Sequence, residues 1–393
     1  MKGTRLDYTH GAPTSKDSAH MTEPAAIRAS LAEMLDQAGR SAPLPVPRGA
    51  IVYGAGHFGR AVGELLEGAG ARVHAFIDHS PPRDFPWPVV PLSEARTLDR
   101  SLTAVVGIFN PMVDIAPVVT GLLDAGFSEV LTPVQAFHRL EPFHPAARYW
   151  LTALPDYLSR RDSILAASDL LADDLSRRVY RDLWRYRLAG EVAATRPTDH
   201  NTLEDQYFPS DLPPWGDPLR LVDAGAYTGD TLLAARRRGL RIEEVAAFEP
   251  DPSNFARLVE TLAEFPDARA FGVPCGVLGS TTQVRFSAGA GAGSAISTDG
   301  SVTIQCVSLD ESLHGFRPNL IKMDIEGAEL DALLGARRTI ASSRPGLAVC
   351  VYHAPDHIWS IPMLLREWDL GYRFYLRSHA FQGFDSVLYA VPG

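Results

Sequence analysis

The pattern that most constrains this chain is a strand, a glycine-rich turn, a helix and a second strand ending in an acid, and it occurs twice. The first copy runs from Ala50 to Asp78 and the second from Arg220 to Glu249. In both copies the acid stands about twenty residues beyond the last glycine of the turn, which is typical of a parallel βαβ unit that binds its ligand at the carboxyl ends of the strands. The repetition predicts two doubly wound α/β units.

Length and composition agree with two folded units. The 393 residues exceed the usual size of one domain, and a hydrophobic fraction of 46% with a charged fraction of 21% excludes a disordered, collagenous or coiled-coil chain. The net charge of −10 would repel a phosphate backbone, so we expect no nucleic-acid partner. Three scattered cysteines, no apolar run of about 20 residues and no signal-peptide pattern predict a cytoplasmic protein without a membrane partner.

Changes in periodicity divide the chain into five parts. Residues 1–23 are polar and aperiodic and are predicted to be a disordered tail, and residues 24–47 are a helix followed by a proline-rich linker. Residues 48–140 form the first doubly wound unit, residues 141–200 an amphipathic helical connector, and residues 201–393 the second unit. The predicted fold class is therefore α/β, with two doubly wound units joined by a helical segment.

The second unit ends differently from the first. Its last two strand patterns, Arg373–Arg377 and Ser386–Val391, are too close in sequence for a crossover helix, so we expect them to pair antiparallel. Together with the strands before them they predict a seven-stranded sheet. Residues 287–297, between two strand patterns, are mostly glycine, alanine and serine, which suits either a loop that closes over a ligand or a plain hairpin connection.

The first glycine turn, at Gly54, Gly56 and Gly59, has no acid in front of it. The first N–H groups of the following helix are therefore free to attract a pyrophosphate, and Asp78 could bind a ribose or cap the turn before two prolines. Tight packing of strand on helix explains the same glycines equally well. Three interpretations stay open: an NAD(P)-binding oxidoreductase module, a nucleotide-sugar-binding module, or a scaffold that presents the second unit and builds a homo-oligomer.

The second glycine turn carries a different charge. Asp223 ends the strand before Gly225 and Gly229, and a carboxylate there opposes a diphosphate while favouring an ammonium or sulfonium centre. Glu249 ends the next strand, where a carboxylate can accept hydrogen bonds worth about 1.5–3 kcal/mol from ribose hydroxyls. S-adenosylmethionine carries both kinds of cation and no phosphate, so it is the predicted ligand.

Five segments of the second unit resemble successive motifs of the FkbM family of S-adenosylmethionine-dependent methyltransferases. These segments are residues 204–208, 222–231, 248–252, 320–329 and 351–356. The resemblance covers residues 200–391. It implies a Rossmann-like, seven-stranded class I methyltransferase sheet, S-adenosylmethionine as cofactor, and O-methylation of a hydroxyl on a sugar or another natural-product small molecule.

The same resemblance implies a set of cofactor-binding residues. They are Gln206, Tyr207, Asp223, Gly225, Ala226, Tyr227, Gly229, Thr231, Glu249, Pro250 and Asp324. Two positions depart from methyltransferases in general. Tyr227 stands where a glycine is common, and Val273–Cys275 follows the third strand without the acid or amide that often binds the adenine amine. The adenine contacts are accordingly the part of the site that the sequence specifies least.

Two residues are candidates for the base that deprotonates the acceptor hydroxyl. His353 follows the fifth strand, at the edge where a doubly wound sheet binds its ligands, and the usual pKa of histidine suits proton removal near neutral pH. Asp324, after the fourth strand, is the rival; it could also orient the substrate or the methionine moiety, or cap the next helix. We expect Glu326 and Glu329 to complement the dipole of that helix, and His357 to face solvent.

Further assignments stay open at this level. A magnesium ion could be held by Asp324, Asp356 and His353, although no spacing is diagnostic. Arg377 and His379 could contact an anionic or polyhydroxylated substrate, or only solvate an edge strand. Against the favoured O-methyltransferase of a small-molecule or saccharide hydroxyl stand two alternatives. One is a nucleotide- or nucleotide-sugar-binding assembly module whose methyltransferase half is not catalytic, and the other is an NAD(P)-dependent oxidoreductase.

Overall fold

Parallel β-sheets flanked by helices dominate the computed structural model, which describes residues 22–41, 45–80, 82, 84–140, 149–197, 202–289, 295–296 and 300–393. The helices are α1 Glu23–Arg40, α2 His57–Gly68, α3 Ala116–Asp124, α4 Pro133–Arg139, α5 Leu154–Leu158, α6 Arg161–Leu170, α7 Asp174–Ala189, α8 Asp230–Arg237, α9 Pro252–Ala263, α10 Leu309–Ser312, α11 Glu329–Leu334, α12 Arg337–Ser343 and α13 His357–Glu367. The strands are β1 Gly49–Tyr53, β2 Arg72–Ile77, β3 Val89–Val90, β4 Thr103–Val106, β5 Val130–Leu131, β6 Leu219–Ala224, β7 Ile242–Phe248, β8 Arg269–Val273, β9 Gly276–Val277, β10 Thr282–Ser287, β11 Ala295–Ile296, β12 Val302–Val307, β13 Leu320–Met323, β14 Gly346–Cys350, β15 Tyr372–Ser378 and β16 Ser386–Pro392. The predicted α/β class is confirmed.

The first sheet has five parallel strands in the order β3-β2-β1-β4-β5. Its central strand β1 is buried from Ala50 to Tyr53, with an apolar cluster on each face, as expected of a parallel strand covered on both sides. The strand order reverses between β1 and β4, and the turn at Gly54 lies at this switch point. Strand β3 escapes the sequence pattern because it is only two residues long.

The second sheet has the strand order β15-β16-β14-β13-β6-β7-β8. Strand β16 runs antiparallel to both β14 and β15, so the predicted antiparallel pairing of the last two strands is confirmed. The other neighbours are parallel. The carboxyl ends of β14, β13, β6, β7 and β8 therefore meet at one edge, where a doubly wound sheet places its ligands.

A small third sheet stands apart from these two. The sequence pattern does not separate the strands near residues 282 and 303 from those of the second sheet. In the structure, β10 and β12 pair antiparallel with each other, and the described part of their sheet is completed by β11 next to β10 and β9 next to β12. Of the glycine-rich stretch 287–297, residues 290–294 and 297 lie outside the described residues, and so do residues 1–21 of the predicted tail.

Helices α1, α6 and α7 form a layer on the second sheet. Ile27, Leu31 and Leu35 recur on one face of α1, which packs against α6 and α7, while α7 packs on β15. Helix α7 begins where the Asp173 carboxylate accepts from Ser176 N at 2.7 Å and ends at Gly190 in the left-handed conformation. The N-terminal helix thus belongs to the layer of the predicted connector. Within the described ranges, no helix combines the length and the apolar character needed to cross a membrane.

The carboxyl edge of the first sheet packs against aromatic residues from later in the chain. The ring centroid of Phe109, which follows β4, lies 4.6 Å from that of Phe384 and 5.2 Å from those of Phe58 and Trp150. Gln382 Nε2 also donates a hydrogen bond of 3.1 Å to the carbonyl of Asn110. The edge that would carry a nucleotide in the first unit is therefore part of an internal interface.

Candidate active site

A cavity of about 260 Å³ lies along the carboxyl edge of the second sheet. One end, called here the β7 end, is lined by Glu249 and Cys275, beyond β7 and β8. The other, the β14 end, is lined by Asp324 and Tyr352, beyond β13 and β14. Neighbouring strands are about 4.8 Å apart, so a ligand that fills the cavity contacts the loops that follow several strands.

Glu249 is fixed at the β7 end by backbone N–H groups. Tyr227 N donates to its Oε2 at 2.9 Å and Asp251 N donates to its Oε1 at 2.8 Å. Burial raises the pKa of the Glu249 carboxyl, and these two hydrogen bonds oppose that shift. Each carboxylate oxygen keeps a further lone pair, so the group can accept hydrogen bonds from two neighbouring hydroxyls.

Apolar side chains surround the same end of the cavity. Phe248, Val277, Phe286 and Ile304 line it, the last three from the third sheet. Cys275 follows β8, at the position where the sequence lacks an acid or an amide. Burial raises the pKa of its thiol. Such walls fit a flat aromatic ring better than they fit a charged group.

The second glycine turn supports this end by packing. Gly225 and Gly229 have φ of +76° and +87°, and an added Cβ would meet the carbonyl oxygen of Asp324 or, at 2.6 Å, the side chain of Thr261. Gly225 lines the cavity, whereas Gly229 does not. The two glycines therefore allow backbone segments to approach closely, a role that precedes any contact with a ligand.

Four of the predicted cofactor residues lie behind the cavity wall. Asp223, Ala226, Gly229 and Thr231 do not line the cavity, and Asp223 and Ala226 have no exposed surface. The other seven do line it. These seven are Gln206, Tyr207, Gly225, Tyr227, Glu249, Pro250 and Asp324.

The charge of Asp223 is compensated inside the protein. Its Oδ1 lies 3.0 Å from Nζ of Lys322, a buried ammonium that also donates to the carbonyl of Gly225. Burial on its own would lower the pKa of Lys322, but the carboxylates of Asp223 and Asp324 raise it. The expectation that Asp223 faces a cationic ligand directly is therefore wrong for this arrangement.

Three carboxylates, those of Asp324, Glu326 and Asp385, line the β14 end instead. Tyr207 Oη donates to Asp324 Oδ2 at 2.6 Å, and Gln206 Nε2 lies 3.4 Å from Asp385 Oδ1. Burial raises the pKa of Asp385 to about 6 and that of Glu326 to about 7, and the charge of Asp324 adds to both shifts. This end suits hydroxyl and ammonium donors.

The cavity as a whole is acidic. Among the described residues that line it, five carry carboxyl groups, including Asp230 and Glu249, and Lys322 is the one with a cationic side chain. Because Lys322 is already paired with Asp223, the described lining residues leave no cation to neutralise a phosphate. The selection against polyanions that the sequence predicted thus rests on Asp324, Glu326 and Asp385, together with Glu249.

His353 is fully enclosed among carboxylates and does not line the cavity. Its Nδ1 donates to Glu329 Oε1 at 2.7 Å, and its Nε2 lies 3.3 Å from Asp324 Oδ1 and 3.7 Å from Glu326 Oε1. Burial on its own would lower the pKa of His353, but Glu329, Asp324 and Glu326 raise it to about 10. The ring therefore holds its proton at neutral pH, which does not suit the role of general base.

Glu329 and His357 complete this cluster and correct two expectations. His357 is buried, not solvent-facing, and its Nδ1 lies 3.2 Å from Glu329 Oε2. Glu329 is fully buried and accepts from the backbone N–H groups of Ile325 and Gly327, so it fixes the turn before α11 in addition to complementing the helix dipole. Burial on its own would raise the pKa of Glu329, but the two histidines lower it far below its usual value.

The magnesium site expected from Asp324, Asp356 and His353 is not assembled. Asp356 lines a different cavity, together with Tyr157 and Trp359. Asp324, Glu329 and His353 do bring one nitrogen or oxygen each within 4.8 Å of one another. Since both nitrogens of His353 already face carboxylates, the proton on the ring supplies the positive charge at this point.

Arg377 and His379 are structural. Arg377 is buried and donates hydrogen bonds of 2.8 Å to both Asp173 and Asp211, which joins β15 to the start of α7. His379 is buried with its Nε2 2.8 Å from the hydroxyl of Tyr389, and burial lowers its pKa to about 4. Neither substrate contact nor edge solvation, the two sequence interpretations, describes these side chains.

The first glycine turn is built from close contacts as well. An added Cβ at Gly59 would overlap the carbonyl oxygen of Gly54, whereas one at Gly56 would meet nothing within 4 Å. The carboxylate of Asp78 accepts from Ala55 N at 2.7 Å and from Ser80 N at 2.8 Å. The bond from Ser80 N is the capping of the turn before two prolines that the sequence allowed, and the bond from Ala55 N ties the same carboxylate to the glycine turn.

Several residues with unusual backbone conformations line the cavity at the carboxyl edge of the second sheet. Tyr207, Tyr227, Glu326 and Asp385 all line it with φ between +47° and +68°. Such conformations cost about 1–3 kcal/mol each in non-glycine residues and persist only where the surroundings impose them. They mark this edge as a place where side-chain direction has been fixed at the expense of local stability.

Sequence reasoning missed several lining residues, among them Lys322, Tyr352 and Asp385. Lys322 had a signal, because it is a charged residue inside an otherwise apolar strand. Tyr352 and Asp385 had none, since an aromatic residue at a strand end and an acid in a turn are common anywhere on a surface.

The similarity to a protein family lies in the part of the chain that forms most of the second sheet. Residues 223–379 match the model of the methyltransferase FkbM domain. The hexuronic acid methyltransferase AglP of Haloferax volcanii is 34% identical over 133 residues, which are 32% of this chain and 54% of that protein. The chain thus spans about half the length of this curated relative.

A solved structure shares the fold. The crystal structure of methyltransferase FkbM from Methylobacillus flagellatus KT matches with a TM-score of 0.77 and 23% identity, covering 93% of this chain and 100% of that one. The family match extends from Asp223 in β6 to His379 after β15, so it includes the cavity carboxylates of Asp230, Glu249, Asp324 and Glu326, whereas Asp385 lies just beyond it. Residues 223–379 of this chain are therefore similar to the methyltransferase FkbM domain.

Proposed function

We propose that this protein is an S-adenosylmethionine-dependent O-methyltransferase whose acceptor is a hydroxyl of a saccharide or a related small molecule. The observation that carries the proposal is Glu249, held by Tyr227 N and Asp251 N at the end of β7 with both oxygens able to accept hydroxyl hydrogen bonds. The methyltransferase FkbM domain and the hexuronic acid methyltransferase among its relatives support the same conclusion.

The residues of the cavity fit the parts of this cofactor. Glu249 would bind the ribose hydroxyls, and the apolar wall of Phe248, Val277 and Ile304 would enclose the adenine. The charged methionine end would lie toward Asp324, where the described residues that face the cavity are carboxylates and a lysine already paired with Asp223. When bound, S-adenosylmethionine supplies an electrophilic methyl group on a sulfonium.

The protein contributes position and proton transfer. Holding donor and acceptor in line at a near-attack distance can contribute about 7–11 kcal/mol to lowering the barrier. Asp324 is oriented by the 2.6 Å hydrogen bond from Tyr207 and would position the acceptor or the methionine moiety. His353, the first candidate for the base, holds its proton between Glu329 and Asp324 and is not proposed for that role.

For residues 48–140 we propose a scaffold role, with residues 141–200 as the connector and residues 201–393 as the catalytic unit. The contact of Phe109 with Phe384 and the hydrogen bond from Gln382 to Asn110 support this proposal, because they tie the carboxyl edge of the first sheet to the loop between β15 and β16. Magnesium dependence stays a prediction, to be checked by adding a chelator to the assay below.

Two measurements test the proposed function. Calorimetry of the folded protein with S-adenosylmethionine should show saturable binding. Incubation with the deuterated-methyl cofactor and a panel of saccharides should then add one labelled methyl to an acceptor, detected by mass spectrometry. The alternative of a binding module with a non-catalytic methyltransferase half predicts no transfer of label, and an oxidoreductase predicts consumption of NAD(P)H instead.

A further inference from the structure

Proton removal from the acceptor hydroxyl requires a base whose lone pair faces the cavity. The carboxylates at the β14 end are those of Asp324, Glu326 and Asp385. They differ in how far their lone pairs are already used by the protein. This difference, and not the presence of an acid as such, identifies the group that is free to accept a proton.

Asp324 and Asp385 are engaged by other side chains. Asp324 Oδ2 accepts the hydroxyl hydrogen of Tyr207 at 2.6 Å, and Asp385 interacts with Gln206 and with the hydroxyl of Tyr352. Each of these carboxylates therefore orients a neighbour or is oriented by it. A proton taken up by either carboxylate would weaken the hydrogen bonds that it accepts from these neighbours.

Glu326 has a different environment. Within the described ranges, no donor hydrogen-bonds to its carboxylate, and His353 Nε2 lies 3.7 Å from its Oε1. Its side chain is 19% exposed, and the residue lines the cavity. It is thus the carboxylate of the β14 end with both oxygens available to a bound hydroxyl.

The backbone on either side of Glu326 is rigidly held. Ile325 N and Gly327 N both donate to the carboxylate of Glu329, at 2.9 Å and 3.2 Å, so one buried anion binds the residues before and after Glu326. Glu326 itself has a φ of +54°. A side chain aimed by a conformation that its neighbours impose is preorganised for a reacting group.

His353 supplies the positive charge next to this carboxylate. Its Nδ1 is bonded to Glu329, and its Nε2 faces Asp324 and Glu326. The charged groups around Glu326 are therefore Asp324, Glu329 and Asp385, which disfavour its anion, and His353, which favours it. Without the imidazolium, four carboxyl groups would face one another in a buried site.

We propose that, in the methyl transfer proposed above, Glu326 is the base that takes the proton of the acceptor hydroxyl and that His353, fixed by Glu329, is its positioning residue. The acceptor oxygen forms the new bond to the methyl carbon. The bond from the sulfonium to that carbon breaks, and its electron pair stays on sulfur to give a neutral thioether. The hydroxyl proton passes to the Glu326 carboxylate, which later releases it to water.

The titration of Glu326 suits this role. Burial, reinforced by Asp324 and Glu329 and opposed by His353, raises the pKa of Glu326 to about 7. A base is most effective when its pKa lies near the working pH. The anionic form predominates above pH 7, so kcat should rise about tenfold per pH unit below that value and level off above it.

The test compares E326Q with wild type, using the labelled-methyl assay and an acceptor found in the saccharide panel. We expect kcat to fall by about 10²–10⁴-fold, while the Kd for S-adenosylmethionine rises by a much smaller factor because Asp324 and Asp385 still face its charged end. The exposed Glu33 of α1 gives the control, since E33Q should match wild type in both quantities. An E326Q protein that keeps the wild-type kcat and the same rise with pH overturns the assignment.

The wild-type pH profile and H353Q give independent readouts. H353Q removes the positive charge beside Glu326, so the rise in kcat should move to higher pH; a merely structural role for His353 would lower stability and leave the midpoint where it was. A rise that disappears in D324N but persists in E326Q assigns the base to Asp324.

If wild type neither binds the cofactor nor transfers label, the proposed function fails and the role of Glu326 fails with it. Transfer by wild type and E326Q alike contradicts the role of Glu326 alone.

Discussion

The two glycine turns of this chain are built alike, and they differ in what lies in front of them. Gly59 in the first turn and Gly225 in the second both stand where a Cβ would overlap a backbone carbonyl oxygen. In front of the first turn, Phe58 and Phe109 lie with their rings 5.2 Å apart. In front of the second turn lies the cavity that Tyr227 and Glu249 line. A glycine pattern thus identifies a tight strand-to-helix turn, and the space beyond it decides whether a ligand can bind.

The acids that follow the two turns show the same contrast. Asp78 accepts from Ala55 N and Ser80 N and so holds the first turn together. Glu249 also accepts from two backbone N–H groups, but it lines a cavity and can accept further hydrogen bonds. Matched substitutions at the two edges test this contrast. The first pair should show the largest loss of unfolding free energy.

The largest effect is expected where a buried ion pair supports the second edge. E329Q removes the anion that holds His353 and His357, and breaking a buried pair in this way costs about 3–5 kcal/mol of unfolding free energy. The matched change at the first sheet is E129Q, which loses a pair with Arg139 that is 41% exposed on the glutamate side and should cost about 0–1 kcal/mol. Urea unfolding of both variants measures the difference. Equal losses would mean that the second edge is no more dependent on its charges than the first.

The cost of E329Q should depend on pH. The pKa of Glu329 is lowered from its usual 4.5, so its contribution is present above that value and is lost as the pH falls. The pKa of His353 is raised from 6.5 to about 10, so its contribution is complete below 6.5 and is lost as the pH rises through 10. The penalty of E329Q should therefore be greatest between about pH 4.5 and 6.5 and decline toward pH 10. A penalty that grows with pH over that range would contradict the ion pair.

A slightly smaller effect is expected from adding one methyl group to each turn. In G225A the new Cβ meets the carbonyl oxygen of Asp324 at a φ of +76°, so we expect a loss of about 2–4 kcal/mol. In G56A the φ is −77° and nothing lies within 4 Å, so the loss should stay within about 0.5 kcal/mol. Thermal and urea unfolding report both values. A destabilised G56A would show that the first turn is as crowded at its centre as the second.

Local patterns in the sequence predicted the alternation of strands and helices and the antiparallel last pair, because both follow from the spacing of apolar residues. They did not predict that β10 and β12 belong to a separate sheet, because the residues of one strand do not determine which strand pairs with it. For the same reason His357 was expected in solvent. Its partner Glu329 is 28 positions away in the sequence, at the start of α11.

The candidate site was predictable where a residue follows a strand and less so elsewhere. Glu249 and Asp324 follow β7 and β13, and the rule that ligands bind at the carboxyl edge places them at the cavity. Asp223 obeys the same rule, yet Lys322 neutralises it from the neighbouring strand. Asp385 reaches the cavity from the turn between β15 and β16, where no local pattern distinguishes it from a surface acid.

The next effect is on cofactor affinity at the two acids. E249Q loses the charge-assisted acceptor of the ribose hydroxyls, worth about 1.5–3 kcal/mol, so the Kd for S-adenosylmethionine should rise by about 10- to 150-fold. D78N, the matched change after the first turn, should leave that Kd within about twofold. Calorimetry on both folded variants makes the comparison. If D78N raised the Kd for S-adenosylmethionine while E249Q left it unchanged, the cofactor would bind at the first sheet and not at the second.

The smallest effect is expected for nucleotides at the first turn. Asp78 already accepts two backbone hydrogen bonds, and Phe109 packs on Phe58 and Phe384. We therefore expect the Kd for NADH and for a nucleotide sugar to exceed about 1 mM. Fluorescence titration of wild type with NADH and calorimetry with the nucleotide sugar measure this. Tight, saturable binding that D78N abolishes would show that the aromatic contacts open for a ligand, and the scaffold role of the first sheet would then have to be given up for a binding role.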